Sequence, residues 1–466
     1  MTEASVSAAP VSDGLPLPRR LTAIAAISFG TALVVIDGAI ATVALPTIAE
    51  DLKVDGSAAV LVVTVYQLVL VMTLLPFSTL GDRVGHRRLY QYGQMIFTIS
   101  SLLCFFARSL PFLLVIRAAQ ALGAAAALSV SSALVRSTYP SNQLGRGLGV
   151  NSIVVSVSAA LAPTLGGFIL AVGPWPWVFA SAVPFALVSL LLGRTLPDPR
   201  PRSEPFDLLA AVLCAAMFGL IIAGLESGVH GDSPVISGAI VATGAVVGFF
   251  FVRRELDEAR PIMPIDLFGR PVIALSVVGA FTAFVGSMVL TLTVPFRLQH
   301  VYGFSPSEVG TMLAPWPLTM MFVAPVSGML SDRYPAGILG GIGMTIAVIA
   351  LLCFAWLPDD PHYWDIAWRM ALCGAGFGLF LSPNSRLVVG SAPLERAAAA
   401  GGLISTTRMV GQTLGATAVA ALLAMNLGNG PAPALVAAGL ALVAGLCSVA
   451  RLNPTVRARG AGGAVP

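Results

Sequence analysis

Charge is scarce in this sequence. Of its 466 residues, 56% are hydrophobic and only 10% are Asp, Glu, Lys or Arg. A soluble chain could not cover its surface with so few charges, so the composition describes a polytopic membrane protein. Histidine is nearly absent. His86, His230, His300 and His362 all fall in predicted loops or helix ends, which leaves none at membrane depth to act as a base or metal ligand. The five cysteines lie inside apolar runs without metal-ligand spacing and read as buried thiols. No glycine loop ending in Lys-Ser/Thr is present, which disfavours an ATP-driven pump. No nucleophile sits with a base at membrane depth, so the chain does not read as an enzyme. The net charge of +4 is spread over many loops, which argues against nucleic acid as a partner. No cleavage site is clear after the first apolar run. Residues 1–20 read as a disordered cytoplasmic tail before a retained first helix.

What is present is a succession of apolar runs, each of about 20 residues or more, the length a spanning helix needs. Helices are expected near 21–45, 58–80, 89–108, 110–135, 146–171, 176–194, 207–226, 234–252, 271–296, 306–330, 336–357, 364–385, 396–425 and 432–451. That makes about 14 transmembrane helices in an all-α protein, with both termini on one side. The arginines choose the side. Arg19, Arg20, Arg83, Arg87, Arg88, Arg136, Arg146, Arg194, Arg200, Arg202, Arg253, Arg254, Arg260, Arg270, Arg333, Arg386, Arg396, Arg451, Arg457 and Arg459 make the rich set, and Lys53, Arg108, Arg297 and Arg369 the poor one. The ratio is about five to one, which puts both ends in the cytoplasm.

The stretch Ser78-Thr79-Leu80-Gly81-Asp82-Arg83-Val84-Gly85-His86-Arg87-Arg88 reads as a tight loop on the arginine-rich face. Part of it returns about 250 residues later as Gly328-Met329-Leu330-Ser331-Asp332-Arg333. Arg117 and Arg369 repeat at a similar offset, as do Pro163-Thr164-Leu165-Gly166-Gly167 and Gln412-Thr413-Leu414-Gly415-Ala416. Two related halves follow, a plan common among secondary transporters. The expected division is a six-helix bundle at 21–195, an inserted helix pair at 207–252, and an amphipathic connector at 253–270 lying on the membrane. A second six-helix bundle at 271–452 and a cytoplasmic tail at 453–466 complete it.

Asp37 is the acid placed well inside an apolar helix, and an intramembrane charge is a functional hypothesis by default. Depth arithmetic at 1.5 Å per residue places Asp37 and Arg117 both about 10–12 Å below the outer surface. Tyr66, Gln67 and Gln120 share that layer. The expectation is a proton switch, ionised when Asp37 faces Arg117 and protonated when the two separate; the alternative is a permanent structural ion pair. Arg408 lies near mid-membrane with no acid at its depth in its own half. It is expected to line the cavity and meet water, a carbonyl or an anionic substrate group. Phe281, Phe284, Met288, Trp316 and Asn384 are further candidates for the pocket, with lipid or core packing as the alternative for each.

Several motifs resemble one family. The loop Ser78–Arg88 matches the signature of the major facilitator superfamily, with Ser78 where Gly is usual. Ile36-Asp37-Gly38-Ala39-Ile40-Ala41-Thr42-Val43-Ala44-Leu45-Pro46, Arg117-Ala118-Ala119-Gln120 and Ser405-Thr406-Thr407-Arg408-Met409-Val410-Gly411 resemble motifs of its fourteen-span drug:proton antiporters. Ala162-Pro163-Thr164-Leu165-Gly166-Gly167 resembles the antiporter motif, with Ala162 where Gly is usual.

The resemblance implies the major facilitator fold, two six-helix bundles plus the inserted pair. It implies that Asp82, with Arg83, Gly85, Arg87 and Arg88, lies near the cytoplasmic N-terminus of the helix at 396–425. There an acid is favoured by roughly 0.3–1 kcal/mol and would lock the inside closed. Asp332 and Arg333 would do the same near Gly145. Pro163 with Gly166 and Gly167 would make a bent, close-packed gate helix. The implied function is proton-coupled export of amphipathic small molecules such as drugs or antibiotics by a monomer in the cell membrane, driven by the proton gradient with no cofactor or metal. Absence of a second intramembrane acid favours neutral, zwitterionic, weakly cationic or anionic compounds over dications. Proton-coupled uptake of a metabolite is the alternative; a membrane-embedded enzyme or a non-transporting sensor is remote.

Overall fold

A computed structural model describes residues 14–140, 144–197, 206–229, 231, 233–257, 263, 265–331, 333–392 and 396–453. Backbone polar groups have no water to bond in a bilayer, so apolar runs of this length must satisfy themselves as helices. The helices are α1 (Leu17–Leu52), α2 (Gly56–Val84), α3 (His86–Cys104), α4 (Leu110–Thr138), α5 (Leu144–Val172), α6 (Pro176–Ala180) and α7 (Val183–Leu192), followed by α8 (Leu208–Val229) and α9 (Pro234–Asp257). The second half holds α10 (Pro271–His300), α11 (Pro306–Leu313), α12 (Pro315–Leu330), α13 (Ala336–Ala355), α14 (Tyr363–Ser391), α15 (Ala397–Ala424) and α16 (Ala432–Ala450). Taking α6 with α7, and α11 with α12, these fall in the predicted order. Among the described residues eleven segments are long and apolar enough to cross a membrane. Their outward faces carry Val235, Phe322, Val115 and Leu446 at 60–79% exposure, an apolar belt that only lipid would cover.

Proline decides where the helices depart from expectation. The predicted 176–194 helix breaks at Ser181–Ala182, because Pro184 has no N–H to donate to the preceding turn. The 306–330 helix breaks at Ala314 before Pro315 and Pro317. Pro46, by contrast, is carried inside α1, which continues to Leu52 rather than stopping near 45. The expected loop Ser78–Arg88 is almost wholly helical. Only Gly85 interrupts it, with φ +106, a left-handed conformation that favours glycine. Its N–H closes α2 on Gly81, and its carbonyl accepts from Leu89 to open α3.

The internal repeat has a structural counterpart that the motifs did not reveal. In the first half α3 crosses α4 where a Cβ on Gly93 would lie 2.7 Å from the Gly123 carbonyl, and one on Gly123 2.6 Å from that of Gly93. In the second half α13 crosses α14 at Gly343 and Gly376, with both such distances 2.6 Å. The offsets are 250 (343 minus 93) and 253 (376 minus 123).

Helices α8 and α9 pack on each other, and α8 also lies against α2 and α15 at the seam of the halves. Asp207 caps α8 by accepting the Ala210 N–H at 2.9 Å and pairs with Arg254 of α9 at 2.8 Å. The described part of the connector docks on the second bundle. Leu267 is buried among Ile273, Val277, Val388 and Leu403, and Asp266 pairs with Arg396 at 2.5 Å. The tails before residue 14 and after 453, and most of the proline-rich linker, lie outside the described residues.

Candidate functional site

Asp37 is presented by α1 and Arg117 by α4, toward the arginine-poor end of the first bundle. Arg117 Nη1 donates to Asp37 Oδ2 at 2.7 Å, with both side chains fully buried. The same Nη1 donates to Gln120 Oε1 at 2.5 Å. Gln120 Nε2 donates in turn to Asp37 Oδ1 at 3.0 Å and to Ser101 Oγ of α3 at 2.8 Å. Arg117 and Gln120 meet the same carboxylate because they stand three residues apart, on one face of α4. The guanidinium lies over the Tyr66 ring at 4.2 Å and near the Phe179 ring at 4.9 Å. Both carboxylate oxygens are thus occupied, and two aromatic rings pack on the cation. Asp37 lies deeper along α1 than predicted, since that helix extends to Leu52, yet the pair forms.

Removing one partner of such a pair leaves a buried charge uncompensated, at about 3–5 kcal/mol. A proton on Asp37 would cancel one of the two charges. With Asp37 ionised, the triangle with Arg117 and Gln120 closes; with it neutral, the attraction that holds Arg117 is gone. Among the described residues Tyr66 Oη, Gln67 Oε1 and Arg117 Nη2 are buried without a hydrogen-bond partner. The second half has no equivalent, because Gly286 stands about where Asp37 would repeat (286 minus 37 is 249). Arg369 instead pairs with Asp365 at 3.6 Å and donates to the Cys353 carbonyl at 2.9 Å.

The halves meet closely at the arginine-poor end. A Cβ on Gly167 would lie 2.6 Å from the Pro306 carbonyl, and one on Gly310 would collide with the carbonyl of Pro163. Gln299 Nε2 donates to the Val43 carbonyl at 3.5 Å, and His300 approaches Glu50 at 3.6 Å. Ile40, Val60 and Phe179 share one buried cluster with Met288, Phe296 and Val419 across this seam. At the arginine-rich end, Asp82 pairs with His86 at 2.9 Å, while Arg83 and Arg88 are exposed and Arg87 half-buried. Arg333 is exposed. The expected contact of Asp82 near Glu395 involves a residue outside the described ones, and so does Asp332.

The pocket candidates separate into two groups. Phe281, Phe284, Trp316 and Arg408 are half-buried. Phe281 and Phe284 of α10 pack on α15 at Gly411, and Trp316 stacks on Phe377 at 5.2 Å. Met288 and Asn384 are buried instead. Asn384 donates to the Ser276 carbonyl at 3.1 Å and accepts from Arg451 at 2.5 Å, which commits its amide to tying α10, α14 and α16 together. Sequence reasoning missed Ser101 and Phe179 in the ionic network. Ser101 stands out only as a hydroxyl in an apolar run, and Phe179 carries no signal. An open recess of about 400 Å³ is lined by Tyr302, Glu308, Asp359 and His362 of the second half.

Residues 27–416 match the family described as Major Facilitator Superfamily. The chain belongs to that superfamily. It is a membrane-embedded major facilitator transporter, and its relatives span nearly the same length. The uncharacterized transporter YebQ of Escherichia coli (strain K12) is 44% identical over 439 residues, covering 94% of this chain and 96% of that protein. The riboflavin transporter RibZ of Clostridioides difficile (strain 630) is 29% identical, covering 86% and 88%. The multidrug resistance protein Stp of Mycobacterium tuberculosis (strain CDC 1551 / Oshkosh) is 30% identical, covering 87% and 76%. Among solved structures, a bacterial homolog to the human lysosomal transporter Spinster superposes with a TM-score of 0.66 at 20% identity, covering 96% of this chain and 97% of that one. That likeness carries the major facilitator fold.

Proposed function

We propose that this major facilitator transporter exports amphipathic small molecules across the cell membrane in exchange for protons, as a member of the fourteen-span drug:proton antiporters. The observation that carries this reading is the buried triangle of Asp37, Arg117 and Gln120. A buried ion pair is a weak stabiliser against an apolar alternative. A carboxyl that exchanges a proton gives it a reason to be there. The name of the relative Stp supports a drug-like substrate, and the Pro163-Gly166-Gly167 helix closed on α11 supports a gate against leak. The arginine bias supports an orientation with both termini in the cytoplasm. The name of the relative RibZ favours a second reading, transport of a metabolite through the same fold.

The test is reconstitution in liposomes with an imposed pH gradient and a counterflow screen of compounds. Export coupled to protons predicts accumulation against the compound's own gradient, in the direction opposite to proton flow. Accumulation along with protons would instead establish uptake.

A further inference from the structure

Helix α15 crosses the protein beside the seam of the two halves, packed against α2, α8, α10 and α14. No residue of its stretch 401–420 is exposed, so this part of the helix has no open lipid-facing side. Its half-buried positions include Ser405, Arg408 and Gln412, spaced three and four apart on one face. Apolar residues dominate the lipid-exposed faces elsewhere, at up to 79% exposure. A polar, partly accessible stripe at mid-membrane therefore borders space inside the protein.

Arg408 is the twelfth residue of a 28-residue helix, far from either end. Among the described residues its guanidinium makes no ion pair and no hydrogen bond, and the Gln412 amide makes none either. The buried carboxylate of Asp37 does not serve it, since both oxygens are held by Arg117 and Gln120. The buried arginines of the second half differ, and Arg297 donates to the Phe354 carbonyl at 3.2 Å. Arg451 is spoken for by Ser276 at 2.8 Å and Ser448 at 2.6 Å, besides Asn384. One turn from Arg408 along α15, a Cβ on Gly411 would lie 2.9 Å from the Phe284 Cβ and 3.0 Å from the Phe281 carbonyl. A cation thus stands one turn from the crossing of α15 with the Phe281–Val285 stretch of α10. Guanidinium offers several N–H donors in a planar fork that matches a carboxylate or sulfonate.

We propose that Arg408 selects substrates carrying an anionic head, a carboxylate or sulfonate, on an aromatic or apolar body. This deepens the export reading above and rests on it for the statement that the cavity receives substrates. A compound with a second cation would place like charges together. A neutral one would leave the guanidinium without a counter-charge.

The test uses equilibrium binding without any gradient, to full-length protein in nanodiscs of zwitterionic lipid, with empty nanodiscs subtracted. The probes are 8-anilinonaphthalene-1-sulfonate and N-phenyl-1-naphthylamine, which share an aromatic body and differ by the sulfonate. Wild-type protein is expected to bind the sulfonate at least about tenfold more tightly than the amine, the scale of one charge-assisted hydrogen bond. Arg408→Gln should remove that preference by weakening binding of the sulfonate far more than binding of the amine, and Arg408→Lys should keep part of it. Equal affinities in wild type, no saturable sulfonate binding, or an equal loss of both probes in Arg408→Gln would overturn the proposal. Failure of the export reading shows elsewhere, as absence of pH-driven flux in wild type, and does not alter this binding ratio.

Discussion

Among the described residues Asp37 and Arg117 are each other's only charge partner in the first bundle's interior, which makes their energies separable by a double-mutant cycle. Arg117→Gln should destabilise the protein by about 3–5 kcal/mol because it strands a buried carboxylate. Arg117→Gln combined with Asp37→Asn should cost less than the sum of the two single changes, since both charges leave together. Thermal unfolding of the four purified proteins measures this, and additive losses would mean that the pair is not coupled. This part of the site was legible in the sequence. An acid in an apolar run stands out, and counting residues from the helix ends found its arginine. The arithmetic placed Asp37 too near the end of α1, because the helix expected to end near 45 continues to Leu52. Phe179 was not legible, since an aromatic that covers a cation has the same sequence appearance as any core aromatic.

At the scale of the elements, close crossings at glycine control packing. The α5–α11 contact is one, where Gly310 sits on the Pro163 carbonyl and Gly167 on Pro306. Gly310→Val would need room that the backbone does not leave, so the arginine-poor end should not close. A cysteine placed at Ser307 should then react with an impermeant maleimide several-fold faster than in the Gly310 background. Unchanged labelling would mean that this crossing is not the closure. The inserted pair responds to pH through Asp207, which lies outside the spans. Burial alone would raise its pKa, but the Ala210 N–H and Arg254 outweigh that and hold it below the ordinary carboxylate range. Its contribution is therefore present above the unfolded value and lost as pH falls through the lower, folded one. Asp207→Ala should cost about 0.5–2 kcal/mol at neutral pH, as for a lost helix cap. In strong acid the variant and wild type should converge, a comparison that detergent-solubilised unfolding curves can make. Helix order and type were legible here, because apolar length alone specifies a span. The single-glycine join at Gly85 was not, because Gly-Asp-Arg with a basic cluster resembles a loop whether the flanking helices stop early or run to within one residue of each other.

For the whole molecule, the two halves are alike in backbone and unlike in charge. The crossings Gly93–Gly123 and Gly343–Gly376 repeat at offsets near 250, as the motifs did. Asp37, however, is replaced by Gly286, and Arg369 bonds near its own helix start. One half thus carries the ionisable pair, and the other carries Arg408. Sequence comparison of the halves reached the repeat through loops and motifs, and it placed Arg408 at mid-membrane. It could not find that Asn384 is consumed by Arg451, since the two stand 67 positions apart and meet only in the folded bundle. The arginine bias makes a prediction of its own. A single cysteine at Arg83 should be labelled only from the cytoplasmic side of intact cells, and one at Ser305 only from outside. The reverse pattern would invert the transporter and exchange export for uptake.

Flux driven by an imposed pH gradient, compared in liposomes holding wild type or Asp37→Asn, reaches the centre of the mechanism most directly. The substrate is a compound found by counterflow with the wild-type protein. Asp37→Asn should still exchange that compound across the bilayer down its own gradient but lose gradient-driven accumulation. Accumulation by Asp37→Asn at the wild-type rate, still dependent on the pH gradient, would contradict proton carriage by Asp37.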